Sequence, residues 1–351
     1  MIPPGETIGI LGGGQLGRML AVAAAQLGYR VHIYAPEADS VAAEVSAEFT
    51  CADWDDTEAM ARFAADCAVI TYEFENVPVA PLAALAGKLR PGTRPLEAAQ
   101  DRLTEKRFAE AHGGRPAPFA PVIGEEDLAI AIARIGAPGI LKTRREGYDG
   151  KGQWRIESTA QAAALERPGE PLLYEGLVRV SAEFSVILCR GMDGELRHWD
   201  APLNVHEQGI LARSSVPASP LIEGQLTEAR SLAAKIAAAL DYVGVLTLEF
   251  FATREGPVFN EMAPRVHNSG HWTIEGALTS QFENHIRAIC GLPLGATART
   301  ARVVEMRNLI GDAADDWAAI LADPANHLHL YGKGEARPGR KMGHVTRLVP
   351  G

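Results

Sequence analysis

The chain has 351 residues, of which 47% are hydrophobic and 22% charged, and its formal net charge is -10. That length suggests two or three domains, and the composition is that of a soluble globular protein. The acidic balance argues against nucleic acid or an anionic membrane as partner, because those are held by basic surfaces. The opening MIPPGETIGILGGG has no basic leader, and no uninterrupted apolar run reaches about 18 residues, so a cytoplasmic protein is expected, neither exported nor inserted in a membrane. Cys51, Cys67, Cys189 and Cys290 show no CxxC spacing and read as reduced core thiols.

Thr7 to Leu11 is a short apolar strand that runs into Gly12-Gly13-Gly14-Gln15-Leu16-Gly17, and the MLAVAAAQLG that follows reads as a buried helix ending at Gly28. Gly12, Gly14 and Gly17 satisfy GxGxxG, in which missing side chains let helix N-terminal amides approach a phosphate. Val31 to Tyr34 is a second strand, and Glu37 after it can serve as the ribose-binding acid of a dinucleotide site, which keeps a nicotinamide-dependent dehydrogenase open. The motif reports an anion near a helix end and not which anion. A cofactor pyrophosphate, another phosphate and a plain tight turn all fit. Cys67 to Tyr72 is another strand, with Glu73-Phe74-Glu75-Asn76 at its carboxyl end, where open α/β sheets bind ligands. Glu73 and Asn76 are candidates for substrate hydroxyls, with an acid pair at a helix start before Pro78 as the structural alternative.

From Leu96 to Ala111 the pattern predicts one helix, with Arg102 and Lys106 a turn apart on a face of the kind that is usually solvated. His112 to Pro121, rich in glycine and proline, marks a boundary. The next block is small: a helix from Asp127 to Ile135, a strand from Gly139 to Thr143, the loop RREGYDGKGQ from Arg144 to Gln153, and a strand from Trp154 to Ile156. Lys142, the one charge in its apolar strand, needs an anionic partner. The glycine loop with Lys151 has the make-up of a phosphate cover, or of a hairpin turn. Leu172 to Tyr174 is a strand ending in Glu175-Gly176-Leu177-Val178, and Glu183 precedes a strand from Phe184 to Cys189; between them lies a hinge.

Extended segments follow around His206 and Arg213, then a helix from Gln225 to Leu240. Val243 to Ala252 and the residues from Val258 form a hairpin about a turn at Thr253 to Pro257. A centre near Glu255 puts Glu249 opposite Glu261, with Cβ atoms roughly 5 Å apart. Paired carboxylates repel unless a cation lies between them, and Mg²⁺ binds through one or two carboxylates plus substrate phosphates. A metal-nucleotide site and a solvated face with splayed side chains are both open from geometry. His267-Asn268-Ser269-Gly270-His271 does not suit zinc, since Asn268 and Gly270 disfavour the helix that such spacing needs. A helix from Gln281 to Ile289 follows. Lys333, Arg337, Arg340 and Lys341 then form a basic cluster, read as a phosphate clamp or a salt-bridged surface tail.

The segments LGGGQLGRM from Leu11, TYEFENVP from Thr71, DRLTEK from Asp101, GYDGKGQW from Gly147, NEMAPRVHNSGHWT from Asn260 and RPGRKMGH from Arg337 span nearly the whole chain. Through them it resembles the ATP-grasp family, and within it the carboxylating branch of purine biosynthesis. The resemblance implies an α/β and α+β ATP-grasp fold in four parts. These are an N-terminal Rossmann-like (pre-ATP-grasp) substrate-binding domain over 1–97, a crossing segment over 98–120 packed with the C-terminal domain, a small lid domain over 121–180, and a C-terminal catalytic domain over 181–351. It also implies a helical tail past Gly351, a homodimer, and ATP, bicarbonate and 5-aminoimidazole ribonucleotide as substrates, with Mg²⁺ as cofactor.

Carried over by motif, Arg102 and Lys142 meet the nucleotide phosphates, and Gly147, Tyr148, Asp149, Gly150, Lys151, Gly152 and Gln153 close over them. Glu175 with Gly176, Leu177 and Val178 recognises adenine, Glu183 takes the ribose, and His206 lies near the nucleotide. Glu249 and Glu261 hold the metal, with Asn260 beside them; where many relatives place a further ligand Asn, this chain has Ala263. The resemblance implies that Tyr148, Asp149 and Lys151 face the aminoimidazole, with Asp149 as proton acceptor, and that Arg265 and His267 face the carboxyphosphate region. Gly14, Gln15, Leu16, Glu73, Asn76, Lys333 and Arg340 bind the ribonucleotide.

Overall fold

The computed structural model describes residues 1–124, 126–145, 147, 152–165, 169 and 171–349. Three sheets organise them. The first is parallel, in the spatial order Glu48–Cys51, Arg30–Ala35, Thr7–Leu11, Val69–Tyr72. The chain leaves the Thr7–Leu11 strand toward one edge and returns to its other side, so the order reverses between Thr7–Leu11 and Val69–Tyr72. Crevices at such reversals are where open α/β sheets take ligands.

A four-stranded antiparallel sheet forms the small block, ordered Phe119–Val122, Leu172–Gly176, Gly139–Thr143, Gln153–Ile156. The helix Asp127–Ile135 covers it through Leu128, Ala131 and Ile132. The third sheet has nine strands, with Gly256–Ala263 at one edge and Asn326–Leu330 at the other. Against Ala182–Arg190 and Gly244–Thr253, the strands next to that first edge, lies the helix Leu226–Ala239, burying Leu232, Ala233 and Ile236.

The first and third sheets share a core. The helix Gln15–Gln26 packs on Gln281–Ile289, joining Leu20 and Ala24 to Phe282, Ile286 and Ile289. His285 ties the two sheets: its Nδ1 accepts from the Val245 amide at 3.1 Å, which leaves Nε2–H to donate to Thr71 Oγ1 at 2.8 Å. Burial pushes this imidazole down to about 3, so it stays neutral and keeps that tautomer.

Three expectations need correction. The helix over Leu96–Ala111 is two helices, Arg94–Ala99 and Arg102–Ala111, because Asp101 leaves helical geometry to cap the second one through the amides of Leu103 and Thr104. Cys51 lies exposed on the edge strand of the first sheet, whereas Cys67, Cys189 and Cys290 are buried thiols. The hairpin turn is only Arg254-Glu255, since Thr253 pairs with Gly256; a bulge between Glu249 and Phe250 shifts the register and sets Glu249 opposite Glu261.

Candidate active site

The glycine turn already holds an anion. Glu73, at the end of Val69–Tyr72, turns its carboxylate into the turn and accepts from the Gly14 amide at 2.6 Å. Gly12 has φ +118°, and a Cβ there would lie 2.7 Å from Glu73 Oε1, so both backbone and space demand glycine. The GxGxxG pattern is therefore accounted for by a carboxylate of the same chain, and the dinucleotide reading loses its main support. Burial raises the Glu73 carboxyl above its usual range, opposed by the Gly14 amide, Arg265 and Lys333. Gln15 begins the helix half-buried, while Leu16 packs into the core, so its side chain is not available to a ligand. Asn76 lies in a turn that Gln100 fixes by donating to the carbonyls of Glu75 and Val77. Arg265, reaching over from the third sheet's edge, meets Glu75 at 2.7 Å.

A second cluster gathers where the helix Arg102–Ala111, the small sheet and the Gly256–Ala263 strand meet. Lys142 donates to Glu175 Oε2 at 2.8 Å, and Lys106 approaches Oε1 at 3.3 Å. Burial alone would raise the Glu175 carboxyl, but the two ammonium groups hold it down at about 2. For Lys142 desolvation wins and lowers the ammonium. The anion that Lys142 requires is thus Glu175, whose carboxylate is engaged by two lysines. What remains for a base edge is the backbone of Gly176, Leu177 and Val178, and there the Gly176 and Leu177 amides go to Pro118 and Pro138 carbonyls.

Lys106 is 1% exposed and also donates to the Asn260 carbonyl at 3.0 Å, so the helix face expected to be solvated is interior. Glu105 beside it accepts from the Met262 amide at 2.6 Å, and burial, with Glu261 nearby, pushes its carboxyl up to about 8. Neither residue was expected in the site. The signal lay in the spacing: Arg102, Glu105, Lys106 and Ala109 share one helical face, so charges occupy positions that ordinarily carry the core. Asp101 was missed too; it caps that helix and pairs with Arg144 at 2.7 Å.

The hairpin supplies the third cluster. Glu249 and Glu261 face each other across the strands. Glu249 Oε1 takes His267 Nε2 at 2.9 Å, and Glu261 Oε2 takes Arg102 Nη1 at 3.1 Å, while Arg102 Nη2 donates to the Gly147 carbonyl at 2.9 Å. Burial would raise the Glu249 carboxyl, but His267, then His206 and Lys341, bring it to about 2. Arg102 is held above its ordinary value: desolvation lowers it and Glu261 more than compensates. His206 Nδ1 lies 2.6 Å from Glu183 Oε2, and this contact outweighs desolvation to raise the imidazole. Among the described residues one oxygen of each hairpin carboxylate holds a nitrogen partner, the His267 imidazole for Glu249 and the Arg102 guanidinium for Glu261, leaving its second oxygen for a ligand.

Elsewhere, Gln153 pairs with Lys142 in the small sheet with its side chain outward, and the Gly152 carbonyl accepts from the Thr143 amide. Lys333 sits over the Tyr331 ring at 5.6 Å and helps offset Glu73. Arg340 turns its guanidinium onto the Glu335 carbonyl of its own loop. Tyr148, Asp149, Gly150 and Lys151 lie outside the described residues.

Comparison with known proteins matches three family models in chain order. They are the ribonucleotide synthetase preATP-grasp domain at residues 5–100, the ATP-grasp domain at residues 107–282 and the phosphoribosylaminoimidazole carboxylase C-terminal domain at residues 305–350. The N5-carboxyaminoimidazole ribonucleotide synthase of Brucella melitensis is 50% identical over 99% of this chain and 98% of its own. A solved N5-carboxyaminoimidazole ribonucleotide synthetase with ADP superposes with TM-score 0.93 at 40% identity, covering 100% of this chain and 94% of the other. The corresponding structure from Thermus thermophilus gives 0.91 at 46% identity over 98% and 94%.

Proposed function

The chain belongs to the ATP-grasp family, among its N5-carboxyaminoimidazole ribonucleotide synthases, and from that premise we propose how its three clusters divide the work. The enzyme is an ATP-dependent carbon–nitrogen ligase that carboxylates 5-aminoimidazole ribonucleotide in purine biosynthesis. The observation that carries the division of labour is the facing of two unlike charge sets, the buried Lys142–Glu175–Lys106 group and the Glu249/Glu261 pair, with Arg102 between them.

Lys142, Lys106 and Arg102 carry three positive charges into a desolvated region, which suits them to triphosphate oxygens. The two hairpin carboxylates offer hard oxygen donors on one face, and that donor set fits Mg²⁺. Mg²⁺, when bound there, neutralises charge on the β- and γ-phosphates. A bicarbonate oxygen attacks the γ-phosphorus, the bond to the ADP oxygen breaks, and ADP leaves with the electron pair. The product is carboxyphosphate. The aminoimidazole amine then attacks its carbon directly or captures the CO₂ it releases, inorganic phosphate departs and the amine sheds one proton. His267 and Arg265 are the groups assigned to the carboxyphosphate oxygens; in support, His267 is held against Glu249 and Arg265 against Glu75 beside the hairpin.

The ribonucleotide is assigned to the crevice at Gly14, Glu73 and Asn76, with Lys333 and Arg340 for its phosphate. Supporting this, Glu73 lies at the sheet's reversal point with Arg265 and Lys333 among the charges that act on it. Glu183 and His206 take the nucleotide ribose side; their mutual contact at 2.6 Å supports a joint role. A cytoplasmic homodimer is the accompanying proposal; no described helix is long and apolar enough to cross a membrane.

The test is ADP release from Mg-ATP with bicarbonate and 5-aminoimidazole ribonucleotide supplied separately and together. Release is expected to need both. Equal release with bicarbonate alone would overturn the coupling of this site to the ribonucleotide.

A further inference from the structure

The loop carrying Arg265 and His267 lies past the end of the Gly256–Ala263 strand, outside its ladder, yet His267 must meet Glu249 at 2.9 Å. Its support comes from Gln281, the first residue of the helix Gln281–Ile289, which is fully buried. Gln281 Oε1 accepts from the His267 amide at 3.0 Å, and Gln281 Nε2 donates to the His267 carbonyl at 2.7 Å. One carboxamide therefore grips both polar groups of a single residue's backbone, and only one orientation of the amide satisfies both.

The surroundings fix that orientation. Gln281 Nε2 lies 3.3 Å from His271 Nδ1, and the Gln281 amide donates to Thr273 Oγ1, which in turn donates to the Gly270 carbonyl. A Cβ at Gly270 would come within 2.6 Å of Gln281 Oε1, so the loop passes where only glycine lets the carboxamide through. His267 Nδ1, 2.8 Å from Ser269 Oγ, is fixed by a neighbour on the same loop, which leaves Nε2 for Glu249.

The geometry points to Gln281 as a positioning residue for the carboxylation, one that never touches substrate and acts by holding the His267 backbone so that its imidazole stays on Glu249. This rests on the reading above that His267 works in the reaction. A misplacement of about 1 Å at a reacting group can cost on the order of 100-fold in rate. Substrate ATP is gripped from other elements, so loss of the clamp falls on turnover and not on nucleotide affinity.

The experiment is a double-mutant cycle of Gln281→Leu and His267→Ala, reading kcat and KM for Mg-ATP in ADP release together with the thermal midpoint. His267→Ala and Gln281→Leu are each expected to lower kcat by about 10-fold or more, with KM for Mg-ATP within about 2-fold, and the double variant is expected to match His267→Ala alone. Two outcomes overturn the clamp: unchanged kcat in Gln281→Leu beside an impaired His267→Ala, or a full further loss in the double variant. Wild-type turnover in His267→Ala instead overturns the underlying reading, and is told apart because that single variant reports it. If Gln281→Leu does not fold, Gly270→Ala takes its place, since its methyl displaces the carboxamide without deleting it, and the same expectations apply.

Discussion

The small-sheet cluster and the hairpin cluster use the same residue types in opposite ratios. Around Glu175 two ammonium groups share one carboxylate, and burial is nearly complete. On the hairpin two carboxylates face each other with one guanidinium and one imidazole, and the Glu261 side chain is 41% exposed against 5% for Glu175. The first set is short of negative charge and the second short of positive charge. In the proposed division of labour each is completed by a different part of one ligand, phosphates for the first and a divalent cation for the second, and Arg102 contacts both Glu261 and Gly147.

The sharpest way to break that contrast is Glu261→Gln, which removes an oxygen of the proposed metal site and frees Arg102; ADP formation is expected to fall about 1,000-fold, a loss of the several kcal/mol that metal ions contribute. Residual activity near wild type would remove the hairpin from the chemistry. In the other cluster Glu175→Gln leaves two buried ammonium groups without their anion, a kind of change that costs about 3–5 kcal/mol of stability. Urea unfolding reads it, and an unchanged midpoint would show that the lysines are not held there by charge.

Titration joins the two clusters at the acid end and divides the first within itself. Glu175 and Glu249 are both held at about 2, below the ordinary carboxyl value of 4.5, so their contribution is complete above about pH 4.5 and is lost as pH falls toward 2. Glu105, raised to about 8, works in reverse: its native proton stabilises below 4.5, and that contribution is lost as pH rises through 8. Urea midpoints across pH 3 to 9 are expected to drop at the acid end in wild type, less steeply in Glu175→Gln, and to flatten at the alkaline end in Glu105→Gln. A smaller effect belongs to Gly12→Ala, which combines a disfavoured φ with a Cβ against Glu73 and is expected to cost about 1–3 kcal/mol. Least of all, alkylation of native protein is expected to reach Cys51 alone among the four cysteines and to leave turnover unchanged, which mass spectrometry and the ADP assay can check together.

Much of this was legible in the order of residues, and the failures have physical causes. The strand Thr7–Leu11, the helix Asp127–Ile135 and the helix Gln281–Ile289 are found at their expected bounds, since their apolar spacing and end signals agree. That Lys142 needs an anion follows from one charge in an apolar strand, but which anion depends on a partner strand 33 residues away. The glycine motif points to a phosphate or a plain turn, whereas the carboxylate it meets, that of Glu73, is invisible until two parallel strands are placed side by side. Glu105 and Lys106 escape because solvated and buried charged helix faces look alike until the Asn260 and Met262 backbone covers one of them.

The bulge between Glu249 and Phe250 bears on how the enzyme can vary. Along a strand, side chains alternate between faces, so one extra residue inverts every position beyond it. On the turn side Phe250 opposes Phe259 and both fill the core, and on the far side Glu249 opposes Glu261. In the uninterrupted register of the turn, Glu249 would oppose Asn260, and the two glutamates would point to opposite faces. The pairing of the carboxylates is thus a matter of counting: Asn260 is the residue left without a partner across the ladder, so substitutions in the turn leave the pair intact, and deleting Asn260 closes the bulge while still setting Glu249 opposite Glu261.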